Sequence, residues 1–123
     1  GKKPMKLLKY QVYHKAYEPE AVHVANVYIK SHVPVYQALE EVFRKTNNLA
    51  GTWSGDLTFV QEKREYDNTD YFENVEVVEP LRVDEDGFQH GHRSTSVGDY
   101  VVVDGKTYTC EISGWERVTE QKD

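Results

Sequence analysis

His90-Gly91-His92 is the segment whose residue types and spacing come nearest to chemistry, because two imidazoles one residue apart share a side of an extended backbone and can bind one metal ion. Asp84 and Asp86 lie near enough in sequence to complete a mixed nitrogen and oxygen site, with His14, His23 or His32 available as a distant ligand. The competing reading is a surface loop whose histidines meet solvent. The chain has no H-E-x-x-H or paired C-x-x-C spacing. The acidic turn also lacks the alternating oxygen ligands and closing glutamate of an EF-hand. A metal held by His90, His92, Asp84 and Asp86 would imply a metal-assisted hydrolase. No cofactor motif is present, and no cofactor is expected.

Ser94, Thr95 and Ser96 beside His92 have no G-x-S-x-G elbow, so turn chemistry explains them better than nucleophilic catalysis. Ser96 can bond the backbone ahead of a strand, Gly98 relaxes the φ restriction, and Asp99 can accept backbone N–H bonds. Ser94-Thr95-Ser96-Val97-Gly98-Asp99 is therefore expected to be a strand-entry turn. Cys110 lies in a strand-like run with no basic neighbour, so packing is its expected role. Two tryptophans are candidate partner contacts. Trp53 sits among Gly51, Ser54 and Gly55 in a loop-like stretch, where it either meets a partner or folds back onto the core. Trp115 follows Ser113-Gly114 and either closes the core or stacks at a sheet edge.

The elements that would position these residues are mostly strands. Leu7 to His14 alternates around Leu8, Tyr10 and Val12, and Ala21 to Ile29 alternates with one slip near Ala25-Asn26 that a bulge absorbs. Residues 34–46 read as the principal helix, with Pro34 in the first turn and Val35, Leu39, Val42 and Phe43 at helical spacing. Leu57 to Glu65 reads as a strand or edge, Tyr66 to Tyr71 as a loop, and Glu73 to Val83 as a strand with Pro80 at its edge or end. Asp84 to Gly87 forms a turn. Asp104-Gly105, between two β-prone runs, predicts a tight hairpin inside a meander over about residues 100–118.

The tail also carries a resemblance. Arg93-Ser94-Thr95-Ser96-Val97-Gly98-Asp99, then a valine run, Tyr108 and Gly114-Trp115-Glu116, resembles the tails of small uncharacterised phage proteins, which read S-x-S-V-G-D, strand, aromatic, G-F or G-W. Asn47 to Ser54 is similar to the same group. A looser similarity runs to the YodL-like domain of mobile elements, with Gly98 in place of that motif's last serine. The resemblance implies a phage or mobile-element origin and transfers no catalytic residue.

At 123 residues, with 38% hydrophobic and 12% aromatic content, the chain is long enough for a core and short for two, so one domain over 1–123 is expected. Gly1 to Pro4 read as a cloning remnant or flexible start, and 119–123 as a flexible tail. A net charge of −6 opposes a generic nucleic-acid binder. One cysteine, no signal peptide and no long apolar run point to the cytoplasm and away from membranes. The expected architecture is α+β: a mainly antiparallel sheet covered by the one helix, with its other face open to a second copy as a homodimer. Function is expected to be that of a phage-type accessory domain without enzymatic activity, binding a host or phage protein. The alternatives are the metal-assisted hydrolase and an acidic, anti-restriction mimic of DNA.

Overall fold

The computed structural model describes residues 6–119. Gly1 to Pro4 and all of the expected tail except Thr119 lie outside them. Period-two patterning dictates the centre of the fold. In β1 (Leu7–His14), Tyr10, Val12 and His14 are buried on one face while Lys9, Gln11 and Tyr13 take the other. β2 (Val22–Lys30) pairs antiparallel with β1, and the register slips so that Val24 is the extra residue opposite the Val12/Tyr13 step. The expected bulge therefore falls one residue before Ala25. It turns Val24 and Ala25 inward together, both buried.

The helix α1 (Val35–Lys45) begins after Pro34 and buries Ala38, Leu39 and Val42. Arg44 and Lys45 stand in its last turn, where they complement the helix dipole, and Lys45 pairs with Glu41 at 3.3 Å. Thr46 ends the helix by donating its hydroxyl to the Val42 carbonyl at 2.8 Å. The buried stripe lies on the Tyr10, Val12 and Val101 face of the sheet, with Phe43 edge-on to Trp115 and Tyr36 edge-on to Tyr108.

Chain order then adds two small strand pairs and the rest of the sheet. β3 (Thr58–Gln61) and β4 (Arg64–Asp67) form one hairpin, β5 (Val75–Val77) pairs with β2, and β6 (Arg82–Val83) pairs with β7 (Gln89–His90). β8 (Tyr100–Val103), β9 (Lys106–Glu111) and β10 (Gly114–Val118) complete a six-stranded antiparallel sheet of order β10-β9-β8-β1-β2-β5. The fold is α+β, as the patterning predicted, with the meander at its C-terminal end.

Two elements differ from expectation for identifiable reasons. The single strand expected over 57–65 is a hairpin whose turn, Glu62-Lys63, has φ of 51° and 65° without a glycine, asparagine or aspartate to announce it. The strand expected over 73–83 is split in two: Val75–Val77 pairs with β2, while Arg82–Val83 pairs apart from the main sheet, with β7. The carbonyl of Val24, the bulge residue, accepts the N–H of Val78 at 2.8 Å and of Glu79 at 3.3 Å, which diverts the chain from the ladder before Pro80.

The face opposite the helix stays uncovered among the described residues. On it Tyr13 stacks between His23 and Tyr100, with centroid separations of 4.8 and 4.9 Å, making a ladder of rings across β2, β1 and β8. Asn26 donates to Glu76 at 2.9 Å, Tyr28 does the same, and His23 bonds Asn26. The face is thus polar and internally bonded.

The two hairpin turns respond oppositely to substitution. Asp104-Gly105 has φ of 51° and 73°, so Gly105→Ala is expected to lower unfolding free energy by about 1 kcal/mol. Lys63→Gly relieves left-handed backbone strain and is expected to raise stability by a few tenths of a kcal/mol. Urea unfolding of the two variants checks both signs.

Candidate functional site

Two irregular segments, 46–56 and 90–99, carry most of the residues singled out from the sequence, and buried polar groups fix them. Asp70 Oδ2 accepts the N–H groups of Leu49, Ala50 and Gly51 at 2.6 to 2.9 Å. Asn68 accepts from Thr52 N–H and donates to the Thr52 and Asp56 carbonyls. Side chains are excluded at two crossings: a Cβ on Gly51 would strike Asn68 Oδ1, and one on Gly91 would strike Thr52 Cγ2. Glycine is what lets β7 run on against the 52–54 loop.

Trp53, a candidate partner contact, is only 2% exposed and belongs to the core. Of the two readings open for Trp53, folding back onto the core is the one observed, while Asn48 to Ala50 and Asp56 of the same loop stay exposed. Its indole N–H donates to the Arg93 carbonyl at 2.8 Å, Asn48 accepts its backbone N–H, and the rings of His14 and His92 pack against it. Folding back satisfies the indole donor while burying the ring. Trp115 is half-buried on Phe43.

Asp99 organises the second segment. It is 0% exposed, and Oδ1 accepts from the N–H groups of Lys15 and Ala16 at 2.7 and 2.9 Å. Oδ2 accepts from Ser96 N–H, and both oxygens take the Arg93 guanidinium at 2.7 and 2.8 Å. Burial opposes the charge, but Arg93 and these N–H bonds outweigh it and hold the carboxyl down at about 2. Arg93 also bonds Glu18 through Nε and Nη2 and lies over the Tyr17 ring. The expected strand-entry turn is thereby present: Asp99 N–H reaches the Ser96 carbonyl, Gly98 has φ of 98°, and Gly98 N–H meets the Cys110 carbonyl. Ser94 accepts from Asn48 N–H, and Thr95 shares a 2.9 Å hydrogen bond with buried His14. Val97 stands half-exposed in the turn.

His90 and His92 both line a cleft of about 450 Å³ with His14, Glu18, Arg82 and Arg93, yet they do not converge. His90 Nε2 lies 2.9 Å from Asp84 Oδ2, whereas His92 Nε2 donates to the Glu79 carbonyl at 2.8 Å. The His90 bond draws the Asp84 carboxyl below its ordinary range. Asp84 also accepts the N–H groups of Asp86 and Phe88, which builds the β6–β7 turn, and Asp86 enters that turn through its backbone. Among the described residues, no group of three or more His, Cys, Asp or Glu is arranged to hold a metal ion.

Burial pushes the Cys110 thiol up to about 11. Burial, with the Arg93 charge second, brings His14 down to about 4, so its imidazole is neutral at pH 7.

Sequence reasoning missed a groove of about 590 Å³ lined by all of β3 and by Leu81, Phe88, Gln89, His90 and Gly91. Phe59, Val60 and Phe88 are 40%, 71% and 63% exposed. Its only sequence signal was the apolar content of 57–60, Leu57, Phe59 and Val60. Gly91, which lines both hollows, sits on the wall between the groove and the histidine-lined cleft.

Comparison of the chain with family models, with curated proteins and with solved structures finds no match. No helix among the described residues is long and apolar enough to cross a membrane.

Two acid responses follow. His14 is lowered from 6.5 to about 4 on folding, so the unfolded chain takes up a proton first. Stability is expected to be full above pH 6.5 and to fall by on the order of 2 kcal/mol as pH drops towards 4, with a shallower slope in His14→Gln. Asp99 is depressed from 3.8 to about 2, so its contribution is present above pH 3.8 and is lost as pH falls through 2. Asp99→Asn is expected to cost about 3 kcal/mol at pH 7 by leaving Arg93 with one carboxylate partner, and to flatten the profile below pH 4. Urea titrations across pH 2 to 7 measure both.

Proposed function

We propose that this chain is a non-enzymatic protein-binding domain, of the phage accessory type its tail resembles, working in the host cytoplasm through the face built by its two small hairpins. The observation that carries the reading is a division of labour among side chains. His14, Arg93, Thr95 and Asp99 are bonded inward to one another and to the backbone. Phe59, Val60 and Phe88 open outward around one groove. Exposed apolar side chains gathered round a groove are the usual mark of a protein contact.

Charge favours a second reading, the acidic mimic of DNA. Residues 56–91 hold eleven carboxylates against three basic side chains, a net −8, while the rest of the chain nets +2. A mimic would bind through carboxylates alone, and its binding would be lost in moderate salt without involving the phenylalanines.

Photo-crosslinking separates the readings. A benzophenone side chain placed at Val60, and for comparison at Thr107 on the open sheet face, is irradiated in a bacterial host lysate. One protein is expected to crosslink at Val60, and the charge-neutral Phe59→Ser with Phe88→Ser to reduce its capture about tenfold while thermal unfolding stays within a few degrees. Crosslinking at Thr107 instead overturns the proposal, as does a turnover abolished by His92→Ala in an intact fold.

A further inference from the structure

We propose that the groove takes an extended, basic segment of another protein as an added strand between β3 and β7, joining the two hairpins into one sheet. This rests on the protein-binding reading and specifies its partner. The first support is backbone geometry. β3 pairs only with β4, and β7 only with β6, so each has one edge without a strand neighbour among the described residues. In the β3–β4 ladder the Gln61/Arg64 pair closes a two-residue turn, and the Asn68 N–H bonds the Leu57 carbonyl at 2.8 Å. Antiparallel alternation then turns the N–H and C=O groups of Thr58 and Val60 away from β4. Asp84 N–H bonds the Phe88 carbonyl at 3.0 Å, and the same alternation turns Gln89 away from β6. Thr58, Val60 and Gln89 all line the groove.

The second support is what surrounds those edges. Phe59, Val60, Leu81 and Phe88 offer apolar contacts to alternate side chains of an inserted strand. Asp56 lines the groove, and Glu62, Glu65, Asp67, Asp84, Glu85 and Asp86 belong to the two hairpins and their turns, within the stretch of net −8. That charge selects lysine or arginine at the remaining positions and repels an acidic strand. Main-chain bonding supplies the docking mode, and the carboxylates supply the sign of the partner.

The probe is an acetylated, amidated peptide of about eight residues alternating lysine and valine, matched to strand length. It is added to the full chain while amide hydrogen exchange is followed by NMR. Exchange at Thr58, Val60 and Gln89 is expected to slow about fivefold or more, with Glu65 and Asp67 on the outer edge of β4 unchanged. Methylating alternate peptide nitrogens, or replacing lysine by glutamate, is expected to weaken binding about tenfold. Val60→Pro removes one outward donor but no β3–β4 ladder bond, and should reduce affinity with unfolding unaltered. The methylated peptide gives the same information should that variant misfold. Absence of protection at millimolar peptide, or equal binding of the glutamate peptide, overturns the inference. Protection that grows with protein concentration alone also overturns it, because the occupant is then a second copy. If a crosslinked partner is nevertheless captured at Val60, the protein-binding reading stands and only the added strand falls.

Discussion

The Asp99 carboxylate is the constraint on which the rest of this structure depends. A buried charge is tolerated only when its lone pairs are met, and here the donors come from two places in the chain: Lys15 and Ala16 just after β1, and the 93–96 segment through the Ser96 N–H and the Arg93 guanidinium. Arg93 and Ser96 each do a further task. Arg93 carries the charge out to Glu18 and offers its carbonyl to Trp53. Ser96 shapes the turn that starts β8, and the neighbouring Thr95 holds His14. Asp99 also extends the sheet, since its carbonyl accepts the Cys110 N–H at 2.8 Å. One carboxylate therefore couples the central strand, the irregular wall beside it and the meander.

A second carboxylate solves a different problem. The 48–52 backbone turns too sharply to pair its own N–H groups, and Asp70 gathers three of them while Asn68 closes the next turn. Rigid loops follow from this, because every departure strands a buried polar group. The β3–β4 and β6–β7 hairpins are built on another plan. Their strands are two to four residues long and exposed or half-buried throughout, so little core holds them in place. Freedom to adapt is concentrated there, beside a scaffold that has almost none.

Much of the fold was legible because local rules and tertiary packing agreed. Asp104-Gly105 specified its turn, Pro34 and the Leu39-Val42 spacing specified the helix, and alternation specified β1 and β2 apart from a one-residue placement of the bulge. The Ser96 to Asp99 turn was also readable, since Ser96 and Asp99, three positions apart, close it by bonding each other. What escaped was either unannounced or distant. Glu62-Lys63 adopts a left-handed turn with residues that avoid it, so the β3–β4 hairpin had no signal. Arg93 meets Glu18 across 75 positions, and His14 meets Thr95 across 81, separations on which spacing is silent. For His90 and His92 the single-residue spacing was right for convergence, but Asp84 and the Glu79 carbonyl claim one ring each. The fate of Trp53 turned on a carbonyl forty residues away.

Cys110, the chain's lone thiol, gives the molecule an internal clock. It is buried beside the Asp99 corner, facing Trp115 across the β9–β10 ladder, and its proton is held far above neutrality. A thiol-specific reagent in solvent can meet it only when β9 parts from its neighbours. The pace of labelling thus counts openings of the meander, and a mutation elsewhere that loosens the Asp99 corner would register as a faster tick while the bulk spectroscopic signal stayed still.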